Sequence, residues 1–459
     1  MTMVERLAAF VASTTWDSLS PDVGQALKLR VLDSLGCAIG ALGGEPISAL
    51  RRQVDDFGGT PQCTLIGGGR TAPDRAAFYN GALVRYLDFN DSYLAKGETC
   101  HPSDNLAAVL AACETAGGSG RDFLVALAAA YQVQCRLSDV APVRARGFDH
   151  TTQGAYAVAA GVARALGLDA ERTANAIAIA GTAHVSLRVT RTGALSHWKG
   201  LAYPNTAFGA THAAFLASRG ITGPKEVFEG KKGLMQAITG PFEIDWSREG
   251  LDRVGKTILK KFNAEIHSQS AIEGILELRA HGSVRPEDVE RIELDIFDVA
   301  HLIIGGGEEG DKTRVKTKED ADHSLPYMVA VAILDGQVMP EQYAAPRITR
   351  DDVQALLRRV IVRPDPELSR RFPDEHPCRI RVTLRDGRVL LKEKRDYEGF
   401  HTRPMAKETV VAKFERLAAP LADGDTRRRI AGAVMQLDSV PISELCEALA
   451  GVAPGQERP

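Results

Sequence analysis

Through most of the first 260 positions apolar residues recur at spacings of three and four, the period of one helical face, in segments rich in alanine. In SPDVGQALKLRVLDSLGCAIGALGG, Val23, Leu27, Val31 and Leu35 share a face. Ser20 can cap this helix, Pro21 suits its first position, and Gly43 and Gly44 can stop it. The same pattern predicts helices near 73–88, 104–116, 120–137, 152–166, 170–184 and 206–219. Small side chains let such helices approach closely, which predicts a compact bundle with a buried centre.

Near residue 285 the period changes to two. VERIELDIF alternates Ile292, Leu294 and Ile296 with acids, and CRIRVTLRDGRVLLKEKRD alternates Ile380, Val382 and Leu384 ahead of an Asp386-Gly387 turn. These are strand and hairpin signals. A further helix, ADHSLPYMVAVAILDG, lies between them, and helical periodicity returns from 404 in PMAKETVVAKFERLAAP and ISELCEALAG. The expected fold is therefore mainly α with an inserted α+β domain. Residues 1–265 and 403–459 form a large helical domain from both chain ends, and 266–402 form the insertion. There is no internal repeat, and the only biased segment is the polar tail PGQERP.

Composition narrows the function classes. The 459 residues carry 56 basic and 59 acidic side chains, a formal net charge of -3, without a basic run, so nucleic acid is not an expected partner. Seven scattered cysteines without a C-x-x-C read as reduced thiols of a cytoplasmic protein and argue against zinc or iron–sulfur ligation. No signal peptide is expected, and no window reaches the roughly 20 apolar residues of a membrane span.

Polar residues concentrate in a few places. YLDFNDSYLAKGETCHPSDN precedes an apolar helix; Ser103 or Asp104 is a candidate N-cap, and His101 is expected next to a helix start that favours an anion. Asp91, ten residues earlier, is the candidate to orient its imidazole, because an acid–base histidine needs its second nitrogen fixed. An Asx-rich turn explains the same polarity structurally. In RVTRTGALSHWKG, Arg188, Arg191, His197 and Lys199 either hold a multiply charged acid or solubilise a surface. His150 precedes a helix with Thr151 and Thr152 as candidate caps. Lys260, Lys261 and His267 mark the domain junction, and His323 and Tyr327 stand at helical spacing i, i+4. Gly67-Gly68-Gly69 is too weak for a nucleotide site, and no P-loop, H-E-x-x-H or G-x-S-x-G occurs.

Five segments in order, RYLDFNDSYLAKGETCHPSDN, LSHWKG, KKFNAEIHSQSAIE, ADHSLPYMVAVAILDG and YEGFHTRPM, resemble the MmgE/PrpD family, which is named for 2-methylcitrate dehydratase and also contains cis-aconitate decarboxylase. The resemblance covers nearly the whole chain. It implies a large all-helical domain with a smaller α+β lid, a homodimer, and a cleft site that needs no metal or organic cofactor. Carried over residue by residue, it implies catalytic roles for His101, Asp91, His150, Lys199 and Tyr327. Substrate-binding candidates are Lys260 or its neighbour Lys261, with Arg191, Ser103 and His323. The expected activity is cofactor-free elimination of water from 2-methylcitrate or a related citrate-like tricarboxylate, in propionate metabolism. The alternatives are decarboxylation of cis-aconitate, epimerisation of a related acid, and a non-catalytic binding protein. Two departures bear on substrate: Ala95 stands where the family's decarboxylases place a threonine, and Cys100 precedes His101 where the dehydratases tend to have glycine.

Overall fold

A computed structural model describes residues 1–193, 195–280, 284–307 and 310–453. The polar tail from 454 lies outside the described residues. The chain is mainly α with an inserted α+β region. It divides into two compact units, one of Met1–Thr190, Gly200–Thr257 and the residues from Ala406 on, the other of Arg191–Lys199 and Ile258–Met405.

In the first unit the helix Pro21–Ala41 starts as its sequence predicts, with the Ser20 hydroxyl accepting the Val23 N–H and Pro21 at the first position. It packs on the helix Pro73–Tyr86 and on the helix Lys407–Ala418 of the C-terminal segment, so both chain ends share one core. Gly120–Val140, Thr151–Ala165 and Ala170–Ala183 pack in series. Gly161 explains how close they come. A Cβ there would lie 2.8 Å from Ala130 and 2.9 Å from Val109, so the small residue is needed for the helices to touch.

One buried ion pair ties the ends together. Lys413 Nζ lies 2.7 Å from Asp33 Oδ1 and donates to the Phe89 carbonyl at 2.8 Å, over the face of the Phe89 ring. Burial pushes the Asp33 carboxyl up, and Lys413 pulls it back.

The second unit holds a four-stranded sheet. Val289–Ile296 lies centrally, parallel to Val360–Pro364 and antiparallel to Cys378–Leu384, which forms the expected hairpin with Val389–Lys394. The helix Leu325–Asp335 packs on the helix Gln269–Ala280, which packs in turn on the hairpin strands.

Three local features differ from the sequence expectation. The last helix before the junction runs Trp198–Ser218 and begins earlier than 206, continuing through Gly200 and Pro204, which read as breakers. Val360–Pro364 was not expected as a strand, because it is short, half exposed and ends in proline. The polar stretch contains a small hairpin, Tyr93–Ala95 with Glu98–Cys100, whose turn carries no N-G or D-G signal. Among the described residues no helix is long and apolar enough to cross a membrane. All seven cysteines are free and buried.

Candidate active site

The polar loop between Tyr86 and Leu106 is buried, so nearly every polar group in it needs a partner. Arg85, at the end of its helix, donates to Asp88 Oδ1 at 2.5 Å and to Asn90 Oδ1 at 3.3 Å. Asn90 donates in turn to Ser103 Oγ at 2.9 Å and to Asp104 Oδ1 at 2.8 Å. Asp88 adopts a φ of 54°, a left-handed conformation that aspartate tolerates better than most residues.

This network corrects the capping expectation. Pro102–Asn105 form a 3₁₀ turn, and the helix Leu106–Ala116 starts at Asn105 without a side-chain cap. Ser103 and Asp104 turn inward because the buried Asn90 amide and the Arg85 guanidinium require acceptors. The anion at this helix start is Asp91 itself, which accepts the Ser103 N–H at 3.0 Å.

Asp91 orients His101, but not through its carboxylate as the sequence suggests. The imidazole Nδ1 lies 2.8 Å from the Asp91 carbonyl oxygen and 3.0 Å from Ser92 Oγ. A carbonyl can only accept, so Nδ1 carries a proton, which in a neutral ring leaves the lone pair on Nε2. The Asp91 carboxylate is occupied with the Ser103 N–H and with the Tyr131 hydroxyl, which donates at 2.8 Å. Burial pushes the Asp91 carboxyl up, while Ser103, Tyr131 and Arg30 pull it down. Burial pushes the Tyr131 hydroxyl well above its ordinary range, so it stays a donor.

His150 joins this group. Its ring meets His101 edge-on at 5.5 Å between centroids and stacks on Tyr203 at 6.2 Å. The Tyr203 hydroxyl lies 3.0 Å from Asn105 Oδ1 and 3.1 Å from Gln134 Oε1. Gly154 makes room for this tyrosine, since a Cβ there would stand 2.5 Å from its ring. The helix Thr151–Ala165 is not capped by Thr151 or Thr152. Asp149 Oδ1 accepts the Thr151 N–H at 3.2 Å and lies 3.4 Å from His150 Nδ1, and Arg188 is 3.6 Å from the other oxygen.

In the second unit Lys199 Nζ lies 2.7 Å from Asp322 Oδ1 and 2.9 Å from His323 Nδ1. Lys318 holds the other Asp322 oxygen at 2.8 Å. Burial raises the Asp322 carboxyl, but the two lysines and His323 more than reverse this and hold it far below the carboxylate range. Lys260 is wholly buried and acts electrostatically on Glu265. Lys261 is instead engaged with Glu398 at 2.7 Å and Glu273 at 3.6 Å, partly exposed. Arg191 is buried, with Nη1 at 3.4 Å from the Lys199 carbonyl.

His323 and Tyr327 do not share a helical face. Ser324 is the N-cap of Leu325–Asp335, so His323 stands outside the helix. Tyr327 is buried, and its hydroxyl donates to the Gln342 carbonyl.

Tyr131, Tyr203, Asp149 and Glu98 escaped the sequence reading. Gln134, at i+3 in the same Ala-rich helix, was the available signal for Tyr131. Asp149 sits at a cap position in DHTT. Glu98 accepts the Val143 and Arg144 N–H groups at 3.1 and 3.0 Å and has no local signal.

Comparison with known proteins matches two profiles in series, the MmgE/PrpD N-terminal domain over residues 5–247 and the MmgE/PrpD C-terminal domain over 262–439. The chain is 29% identical to a 2-methylcitrate dehydratase of Cupriavidus necator over 92% of this chain and 91% of that protein. It is 29% identical to an alkylcitrate dehydratase of a fungal species, over 88% and 85%. It is 25% identical to the cis-aconitate decarboxylase of Mus musculus, over 99% and 93%. With both domains matched in order, and motifs of both contributing the buried polar clusters described above, the chain belongs to the MmgE/PrpD family.

Proposed function

We propose that the protein is a lyase that eliminates water from a citrate-like hydroxy acid without a cofactor, with 2-methylcitrate or a close relative as substrate. The observation that carries this reading is the fixed tautomer of His101, set by the Asp91 carbonyl at 2.8 Å. Elimination requires a base for a weakly acidic proton next to a carboxylate and an acid for the departing hydroxide. Nε2 of neutral His101 takes the proton, and the imidazolium that results keeps its Nδ1–H on the Asp91 carbonyl and near the Ser92 hydroxyl. His150 is the candidate acid, supported by Asp149 at 3.4 Å. In the second unit, Lys199 and Lys260 are the candidate groups for binding a carboxylate. Tyr327 and Ser103 have structural roles in this reading, since their hydroxyls are committed to Gln342 and Asn90.

The relatives named as dehydratases support water loss over decarboxylation, as does Ala95 where the family's decarboxylases carry threonine. Chelator-treated protein incubated with 2-methylcitrate should generate the absorbance of an unsaturated acid. Products from cis-aconitate, analysed by mass, separate hydration from loss of carbon dioxide. A protein that releases carbon dioxide and forms no hydrated acid contradicts the dehydratase reading.

A further inference from the structure

Glu98 lies between the loops that carry His101 and His150. It is only 3% exposed and opens the strand Glu98–Cys100, which runs directly into His101. Its Oε2 accepts the N–H groups of both Val143 and Arg144, and its Oε1 accepts the Thr99 N–H at 3.3 Å. Val143 precedes the turn Arg144–Arg146, and its carbonyl accepts the Arg146 N–H at 2.9 Å and the Phe148 N–H at 3.3 Å. One side chain and one backbone turn therefore connect Glu98 to Phe148, two residues before His150.

A second contact sets the same two loops against each other. A Cβ on Gly97 would stand 3.2 Å from the Cβ of Pro142, so the tip of the hairpin formed by Tyr93–Ala95 and Glu98–Cys100 lies on the residue before Val143. The far side of the His150 loop is held elsewhere, by the Asp149 N–H on the Ser186 carbonyl at 2.9 Å. Between these holds the rings of His101 and His150 meet at 5.5 Å. An elimination needs its base and its acid at one spacing about a single substrate, and an error of about 1 Å can cost about 10²-fold in rate.

We propose that Glu98 is a positioning residue for the reaction, tying the loop of His101 to the loop of His150 and so setting the distance between base and acid. The proposal rests on the acid–base roles given to the two histidines under the lyase reading. Burial pushes the Glu98 carboxyl up, and the Val143 and Arg144 N–H groups pull it back. The tie itself needs an acceptor that reaches both N–H groups, not a negative charge. Without that acceptor the buried Val143 N–H must find another partner, and the loop moves with it.

Reach and charge separate in three variants. Glu98→Gln keeps the reach without the charge, Glu98→Asp keeps the charge one methylene short, and Glu98→Met fills the space with neither. The readouts are turnover of 2-methylcitrate and the imidazole NMR signals of histidine-labelled protein, assigned with His101→Asn and His150→Asn. In Glu98→Met and Glu98→Asp, kcat should fall by about 10²-fold with KM changed less than about threefold, and the signals of both histidines should shift. Glu98→Gln should stay within about threefold of wild type in kcat and leave both signals in place. Wild-type turnover in Glu98→Asp overturns the role of Glu98, as does a loss in Glu98→Gln equal to that in Glu98→Asp, and either comparison decides the matter if Glu98→Met does not fold. If wild-type protein converts no citrate-like acid, the lyase reading fails. The tie is judged separately by the two histidine signals, and Glu98→Asp with either signal unmoved overturns it.

Discussion

His101 and Tyr131 act on Asp91 from opposite sides, one taking its carbonyl and the other its carboxylate. Replacing His101 by Asn should leave the fold intact and lower turnover by about 10²- to 10⁴-fold, the usual contribution of a positioned acid–base group, as read from steady-state kinetics. Tyr131→Phe leaves a buried carboxylate oxygen without its donor, at a cost of about 1–3 kcal/mol in urea unfolding. If the hydroxyl fixes the loop and not the chemistry, kcat should fall while the pH profile keeps its shape. Of these groups, the sequence disclosed His101 and Asp91 but neither their geometry nor Tyr131. A chain of hydrogen bonds between residues 40 positions apart leaves no spacing to read.

At the scale of elements, the helix Lys407–Ala418 holds the candidate loop in place. Lys413 donates to the carbonyl of Phe89, two residues before Asp91, and pairs with Asp33 on Pro21–Ala41. Lys413→Met leaves Asp33 buried and unpaired, which should destabilise the protein by about 3–5 kcal/mol in chemical denaturation. The double variant Lys413→Met/Asp33→Asn should recover most of that loss. Long amphipathic helices and the D-G hairpin were legible because period and turn chemistry are local. The strand Val360–Pro364 was not, because its identity comes from pairing with Val289–Ile296. Helix starts were misread wherever the cap residues, Ser103 and Asp104 above all, were drawn into buried contacts of greater consequence.

For the whole molecule, the two-part architecture follows from a switch in hydrophobic period, and the family follows from motifs kept in order along the chain. Acid stability is a property at this scale. Burial, and then the neighbouring His267, hold His376 down at about 3 in the folded protein. The unfolded chain takes up that proton near the ordinary histidine value of about 6.5, so stability contributed by the neutral ring is present above that pH and is lost as pH falls toward 3. Each pH unit in this window costs about 1.4 kcal/mol. Between pH 6.5 and 5 the wild-type urea midpoint should fall more steeply than that of His376→Gln, and parallel curves would contradict the assignment.

The central claim is that His101 removes a substrate proton in an elimination. Proton NMR of 2-methylcitrate and citramalate incubated with chelator-treated protein in deuterated buffer follows it most directly. The account predicts an olefinic product from at least one of these acids, deuterium at the abstracted position of recovered substrate wherever abstraction is reversible, and loss of both signals in His101→Asn. Product formed by the variant at the wild-type rate, or no conversion of either acid by wild-type protein, would contradict it.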